Sequence, residues 1–233
     1  MPDSRGKTLC LIPAKGGSTR LARKNVLPLG GKPLLGWAIE AAVQSGLMDR
    51  IVVSTEDQQI AEIARELGAD VPFLRPPHLA RDPAGVVDVA LHTLGELRSQ
   101  EAEFQTLVIL LPTCPFRTAE DIRNACALFR DTSASFLMSV SRYEHTPFAA
   151  LSLDDEQRLR PYFPEYIGKK SQEMPAAFRA NGAIHVLEVT AFERERSYYA
   201  QPLIGYEMPW QRSIDIDTEH DLRFAESLLG MNA

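Results

Sequence analysis

The chain reads as an α/β protein built on a three-layer, Rossmann-like parallel sheet, and three features of its sequence predict this. Apolar runs alternate with helix-period segments over the first 141 residues, the order that builds a parallel sheet with helices on both faces. One run, Leu107-Val-Ile-Leu-Leu111, is apolar at five consecutive positions, as a central strand covered on both faces requires. A glycine-bearing, cation-rich loop follows the first apolar run, where sheets of this kind bind ligands, beyond the carboxyl ends of their strands.

The elements follow in order. Residues 8–12 form the first strand. Gly31-Lys32-Pro33 leads into a helix through Val43, with Pro33 at the first helical position and Gly46 as the stop. Residues 50–55 read as a buried strand, and 57–67 as a helix placing Ile60, Ile63, Ala64 and Leu67 on one face before Gly68. A short strand at 71–74, a helix at 86–97 and the apolar strand at 106–111 come next. Thr118 can cap a helix at 119–129, and 136–141 is another strand. The rhythm then breaks over 142–178, where Pro147, Pro161, Pro164 and Pro175 forbid a helical crossover. This segment reads as an excursion outside the sheet, a flap or an oligomer contact. Regular structure returns with a strand at 183–187, a helix near 189–195, a strand-like 212–217 and a final helix at 219–229. No internal repeat or low-complexity tract occurs.

At 233 residues the chain fits one α/β domain, 1–233, with at most a small appendage. A net charge of −6 excludes general nucleic-acid binding, which needs a basic face. No window approaches the ~20 apolar residues of a membrane span, so neither nucleic acid nor membrane is an expected partner. The first seven residues lack the apolar core of a secretory signal. Cys10, Cys114 and Cys126 are odd in number and lack metal-ligand spacing, which fits free thiols in the reducing cytoplasm.

Four segments carry candidate chemistry. Between Ile12 and Asn25 lie Gly16-Gly17, the Ser18 hydroxyl and the cations Lys15, Arg20, Arg23 and Lys24. Glycines that reach positive φ let successive N–H groups face an oxyanion, and nucleotide phosphates are the first candidate; a plain turn with solvated cations is the alternative. Neither the dinucleotide fingerprint nor the Walker A pattern is present. Asp215 and Asp217 flank Ile216, and in an extended strand they project to one face. There they hold a hard cation such as Mg²⁺ or simply face solvent. Pro112 to Arg117 is a stiff loop offering Thr113 and Arg117 to a ligand, or else a rigid connection whose Arg117 pairs with a carboxylate. Cys114 has no histidine near it in sequence and reads as a buried thiol, not a nucleophile. Asn181-Gly182 marks a turn or a polar reader of a ligand edge. His185, inside its strand, reads first as a structural histidine and second as a base. His78, His92, His145 and His220 give no metal-ligand spacing. Trp37 belongs to the helix core and Trp210 packs the final turn.

Taken together and in this order, the segments resemble the sialic-acid-type cytidylyltransferases, the CMP-N-acetylneuraminate synthetases. The matching stretches are Ile12-Pro-Ala-Lys-Gly-Gly-Ser18 with Arg23-Lys-Asn25, Gly31-Lys-Pro-Leu34, Ile51-Val-Val-Ser-Thr-Glu-Asp57 and Arg75-Pro-Pro-His-Leu-Ala-Arg-Asp82. They continue with Pro112-Thr-Cys-Pro-Phe-Arg117, Phe178-Arg-Ala-Asn-Gly-Ala-Ile184 and Ser213-Ile-Asp-Ile-Asp-Thr-Glu-His-Asp-Leu222. The resemblance covers residues 9–229 and implies a glycosyltransferase-A-like fold. It also implies transfer of CMP from CTP to the anomeric hydroxyl of a nine-carbon 2-keto sugar acid, with Mg²⁺ (Mn²⁺ able to stand in) and a homodimer in which 142–178 reaches the neighbouring subunit.

Residue by residue, the resemblance implies a nucleotide site of Ala14, Lys15, Gly16, Gly17, Ser18, Lys24, Asn25 and Arg75. It implies a metal pair, Asp215 and Asp217, which with Lys15 and Lys24 forms the catalytic set. Thr113, Arg179, Asn181 and His185 fall beside the sugar. Three departures stand out. Leu111 replaces a sugar-contacting Gln, His185 replaces a Tyr, and Lys169 and Lys170 stand near where the family has an Arg for the sugar carboxylate. These departures imply a bacterial analogue such as legionaminic or pseudaminic acid. The rivals are a 3-deoxy-manno-octulosonate cytidylyltransferase, a non-catalytic CTP-binding protein of the same fold, and a Rossmann oxidoreductase. The Asn-Gly-Ala-Ile and Ser-Ile-Asp-Ile-Asp stretches argue against the first, the intact carboxylates and lysines against the second, and the missing glycine fingerprint against the third.

Overall fold

In this computed structural model, which describes residues 6–18 and 20–231, strand alternation decides the layers. In chain order the elements are β1 (Thr8–Pro13), β2 (Pro28–Leu29), β3 (Lys32–Pro33), α1 (Leu34–Ser45), β4 (Arg50–Ser54), α2 (Gln58–Glu66), α3 (Val86–Ser99) and β5 (Thr106–Ile109). They continue with α4 (Ala119–Asp131), β6 (Phe136–Arg142), β7 (Leu151–Leu153), β8 (Leu159–Pro161), β9 (Phe178–Glu188), α5 (Val189–Glu195), β10 (Leu203–Glu207) and α6 (Glu219–Met231). Along β1, Cys10 and Ile12 enter one core with Ile39 of α1, Ile60 of α2 and Phe129 of α4. Leu9 and Leu11 enter the other, with Ala90 and Leu94 of α3 and Phe192 of α5. Residues two apart on a strand share a face, so one apolar strand feeds both layers. A smaller third cluster, Leu29, Leu34, Ile216 and Ala225, seats α6.

The sheet order is β10-β6-β9-β5-β1-β4. β1 pairs in parallel with β4 and β5, and β6 with β10. β9, however, is antiparallel to both its neighbours, β5 and β6, which corrects the expectation of a purely parallel sheet. The reason is the excursion. It leaves at Arg142 and returns at Phe178, which are paired partners, so the returning strand must run back along β6.

Local chemistry fixes the helix ends. Asp57 caps α2 by accepting from Ile60 N–H at 3.0 Å. Thr118 and Asp121 form a reciprocal capping box on α4. Gly46 closes α1 at φ 68°. Pro33 lies just outside α1 as its N-cap, one position earlier than expected. Residues 71–74 form no strand: only Asp70 bridges to Val52, and Val71 is buried against the helix layer. The prolines at 76 and 77 follow directly and remove ladder donors. Residues 212–217 are also not a strand. A short 3-10 turn, Trp210–Arg212, precedes an irregular extended run, and the edge position belongs to β10. The excursion folds as the β7–β8 hairpin with short 3-10 turns. Phe148 stacks on Tyr166 at 4.6 Å, while Leu153, Leu159, Tyr162 and Ile167 are exposed. Among the described residues no helix is long and apolar enough to cross a membrane. The N-terminal residues 1–5, part of the segment without a signal-like core, lie outside the described residues.

Candidate functional site

The carboxyl ends of β1, β4 and β5 open on one side of the sheet, and three loops meet there. The first is pinned along its length: Ala14 N–H donates to Ser54 O at 2.9 Å, Gly16 N–H to Glu56 Oε1 at 2.8 Å, and Asn25 Nδ2 to Lys15 O at 2.8 Å. Gly16 is required by contact, since a Cβ there would lie 2.7 Å from Asp57 Oδ2, whereas Gly17 faces open space. Neither glycine has positive φ. Among the described residues of the loop, Arg23 is the left-handed one, at φ 51°, which corrects the expected role of the glycines. Ser18 N–H folds back on Gly16 O at 3.1 Å.

The loop cations divide. Arg23 turns away, donating to Asp57 Oδ2 at 3.2 Å and to Gln59 at 2.8 Å. Lys24 and Arg20 reach across the fold to Asp217, at 2.6 and 2.7 Å. The carboxylate pair is set opposite them by main chain. Ile216 N–H donates to Thr113 O at 2.8 Å, and Ile214 and Ile216 pack under α6. Asp215 and Asp217 therefore project together toward the loop even though the segment is no regular strand. Burial pushes the Asp215 carboxyl upward, and the neighbouring Asp217 charge adds to this, while a hydrogen bond with Thr113 and the charges of Lys24 and Arg20 oppose it.

These groups enclose a cavity of about 340 Å³, walled by Lys15, Arg20, Lys24, Asn25, Arg75, Thr113, Asp215 and Asp217, with Leu79, Val86 and Val89 as an apolar side. Arg75 is buried there and held by Ser54, donating from Nε to Oγ at 3.1 Å and from a terminal nitrogen to the carbonyl. A second chamber of about 500 Å³ lies beyond Leu111 and Asp215, which line both. Its walls include Arg179, Asn181, His185, Tyr198, Tyr199 and Phe224. Arg179 is exposed, with Nε 3.4 Å from Ser141 Oγ. His185 is buried against the Tyr198 ring, 4.8 Å between centroids, with Nδ1 unpartnered. Burial and the nearby Arg117 charge lower it to about 4, so it stays neutral.

Several candidates from the sequence either sit elsewhere or have their polar atoms engaged within the fold. Lys169 and Lys170 line neither chamber and lie on the exposed excursion, with Lys169 over the Tyr166 ring at 4.5 Å. The Asn181 side chain is engaged by Ser139, Ser213 and the Ala183 N–H. Arg117 is buried and holds the carbonyls of Ala183 and Leu111, not a carboxylate. Burial pushes the Cys114 thiol up to about 12, which leaves it no thiolate to attack with. Trp37 donates to Leu29 O at 3.1 Å, and Trp210 stacks on Phe224 at 6.4 Å. Tyr198, Tyr199 and Phe224 were not singled out in the sequence as lining a chamber, and Arg20 was named there only as one of the loop's four cations. The loop's charge pointed to Arg20 but could not separate it from Arg23, and the adjacent tyrosines were the only signal for the rest.

Among the described residues no group of three or more His, Cys, Asp or Glu could hold a metal. The Asp215–Asp217 pair alone still suits a hard cation, because Mg²⁺ accepts one or two carboxylates and takes its other oxygens from water and phosphates.

An α/β sheet whose strand ends open on a cation-rich cavity, joined across a carboxylate to a second chamber, is built like the transferases that move part of a nucleotide onto another substrate. The sequence matches the Cytidylyltransferase family over residues 9–229. The chain belongs to that family and is an enzyme, a nucleotidyltransferase. It is 35% identical over 228 residues to the CMP-N,N'-diacetyllegionaminic acid synthase of Legionella pneumophila, covering 97% of each chain. It is 30% identical over 226 residues to the pseudaminic acid cytidylyltransferase of Campylobacter jejuni, again covering 97% of each. The N-acylneuraminate cytidylyltransferase of Escherichia coli O18:K1:H7 is 32% identical over 222 residues, which are 95% of this chain and 52% of that protein. A solved CMP:2-keto-3-deoxy-manno-octonic acid synthetase complexed with CTP shares the fold, with a TM-score of 0.71 at 16% identity, covering 97% of this chain and 100% of that one.

Proposed function

We propose that the chain transfers CMP from CTP to the anomeric hydroxyl of a nine-carbon 2-keto sugar acid, releasing pyrophosphate. The observation that carries this reading is the common wall: Leu111 and Asp215 line both the cation-rich cavity and the second chamber. A nucleotide in one and a sugar acid in the other would meet there. Lys15, Arg20 and Lys24 face the triphosphate, with Arg75 and Asn25 held rigid beside it. In the chain alone Lys24 and Arg20 neutralise Asp217; a triphosphate competes for the same cations. The sugar hydroxyl oxygen attacks the α-phosphorus, the bond from that phosphorus to the bridging oxygen breaks, and the hydroxyl proton passes to water. Positioning and charge neutralisation supply most of the rate in such transfers. Asp215 and Asp217 would hold Mg²⁺, which when bound polarises the α-phosphate and acidifies the attacking hydroxyl; Mn²⁺ would serve in its place.

Within the sugar acids the proposal is a legionaminic- or pseudaminic-type substrate. The second chamber sets Leu111, Tyr198, Tyr199, Phe224 and a neutral His185 beside the polar Arg179, Ser213 and Asp221, so acyl and methyl groups find apolar places within a wall that also offers partners to hydroxyls. Relatives matched over 97% of their length carry those names. The excursion's exposed apolar side chains support a homodimer in which Lys169 and Lys170 reach the neighbour's chamber. Three buried cysteines outside any disulfide fit the cytoplasm. Pyrophosphate release, measured with four nucleoside triphosphates against eight- and nine-carbon keto acids, tests the reading. Turnover is expected with CTP and a diacylamido nine-carbon acid. Turnover with only the eight-carbon acid, or CTP binding without pyrophosphate release, overturns it.

A further inference from the structure

The ladder between β6 and β9 shifts register at one place. Met138 pairs with His185 and Val140 with Ala180, so residues 181–184 face Ser139 alone. Gly182 turns there at φ 72°, in the left-handed region. Backbone groups in such a gap need side-chain partners, and one polarised series of hydrogen bonds supplies them. Ile184 N–H donates to Ser139 Oγ at 2.8 Å, and the Ser139 hydroxyl donates to Asn181 Oδ1 at 2.5 Å. Asn181 Nδ2 donates to Ser213 Oγ at 2.9 Å, and the Ser213 hydroxyl donates to Pro209 O at 2.9 Å. Ala183 N–H also donates to Asn181 Oδ1, at 3.1 Å. A main-chain donor begins the series and a main-chain acceptor ends it. Each hydroxyl, and the amide between them, therefore has one orientation that satisfies both neighbours. Ser139, Asn181 and Ser213 are all buried.

We propose that Asn181 is a positioning residue for the transfer and not a contact of the sugar acid. Acting through Ser213, it sets the segment bearing Asp215 at the wall between the two chambers. The opposite side of that segment is fixed by Ile216 N–H on Thr113 O at 2.8 Å. The Cys114 thiol adds a third tie, donating to Asn181 O at 3.3 Å with Asp215 Oδ1 at 3.8 Å. Asn181 thus braces the carboxylate segment from behind, and its polar atoms are turned inward. This role presupposes the transfer reaction proposed above.

The test compares Asn181→Ala, Ser213→Ala, the double variant and Ser213→Thr in the full chain. Amide hydrogen exchange without ligand, read at Ile216 and at β5 as a control, accompanies pyrophosphate-release kinetics with CTP and N,N'-diacetyllegionaminic or pseudaminic acid, whichever turns over. The expectation is that both single variants speed exchange at Ile216 about tenfold, as loss of one buried hydrogen bond allows, with β5 unchanged. Turnover should fall by a similar factor at unchanged KM for the sugar acid. The double variant should be no worse than either single, as partners in one network behave, and Ser213→Thr should restore both readouts. A raised sugar KM in Asn181→Ala, with Ser213→Ala silent in exchange and turnover, overturns the proposal. Wild-type protein that turns over neither acid overturns the substrate reading instead, and the exchange measurement then decides the clamp by itself.

Discussion

Two adjacent glycines carry different constraints. A methyl group on Gly16 would meet Asp57, the cap of α2, at 2.7 Å, while one on Gly17 would meet nothing. Gly16→Ala should therefore weaken CTP binding about tenfold through displacement of the loop, and Gly17→Ala should leave it within about twofold; calorimetric titration of each variant checks the contrast. Lys24→Ala removes a charge from the cavity wall and leaves Asp217 with Arg20 alone. Turnover should fall by about a hundredfold or more with little change in melting temperature, which kinetics beside a thermal melt would show. His185 brings a pH dependence. Its folded value, near 4, lies below the ordinary 6.5, so between those values the unfolded chain binds a proton that the folded chain refuses. The stability this histidine permits is complete above pH 6.5 and is lost as the pH falls toward 4. His185→Gln should shrink the stability lost between pH 7 and pH 4.5 by roughly 2 kcal/mol, measured by urea unfolding at each pH.

At the level of elements, α4 is tied into the fold through its first turn. Asp121 accepts from the Thr118 N–H at 3.0 Å, from the Arg212 Nε at 2.9 Å and from the Tyr206 hydroxyl at 3.2 Å. Burial would raise this carboxyl, but Arg212 and Thr118 outweigh it and hold it below the usual range. Thr118→Ala should cost about 1 kcal/mol and lower the melting temperature by about 2–4 °C without changing turnover. This cap was legible in the sequence because Thr118 stands directly before a helix-period run. The direction of β9 and the existence of β10 were not. The direction of β9 depends on where a 35-residue detour returns, as the pairing of Arg142 with Phe178 shows, and no local period encodes that. β10 carries Gly205, where a Cβ would crowd the Val140 side chain, and follows Pro202, which hides it from strand propensity.

For the molecule as a whole, the decisive contacts are long in sequence. Lys24 and Asp217, 193 positions apart, meet at 2.6 Å. Residue types at both ends were readable as charge and as a carboxylate pair; their meeting required the order of motifs along the chain, since spacing alone left each with a bland alternative. Which cations face inward was not readable, because Arg20 and Arg23 differ only in how a three-residue bend is wound. The excursion makes a prediction at this scale. If Leu159 and Ile167, 61% and 60% exposed here, are covered by a second copy, then the double substitution Leu159→Asp/Ile167→Asp should yield monomers in sedimentation velocity and markedly reduce turnover. A wild-type protein already monomeric at micromolar concentration would refute that arrangement. Finally, Leu111 and Asp215 form a partition that belongs to both rooms it separates. Anyone retailoring the acceptor side by enlarging or polarising Leu111 will also move the donor side, so a change of sugar preference should arrive together with a changed apparent affinity for CTP.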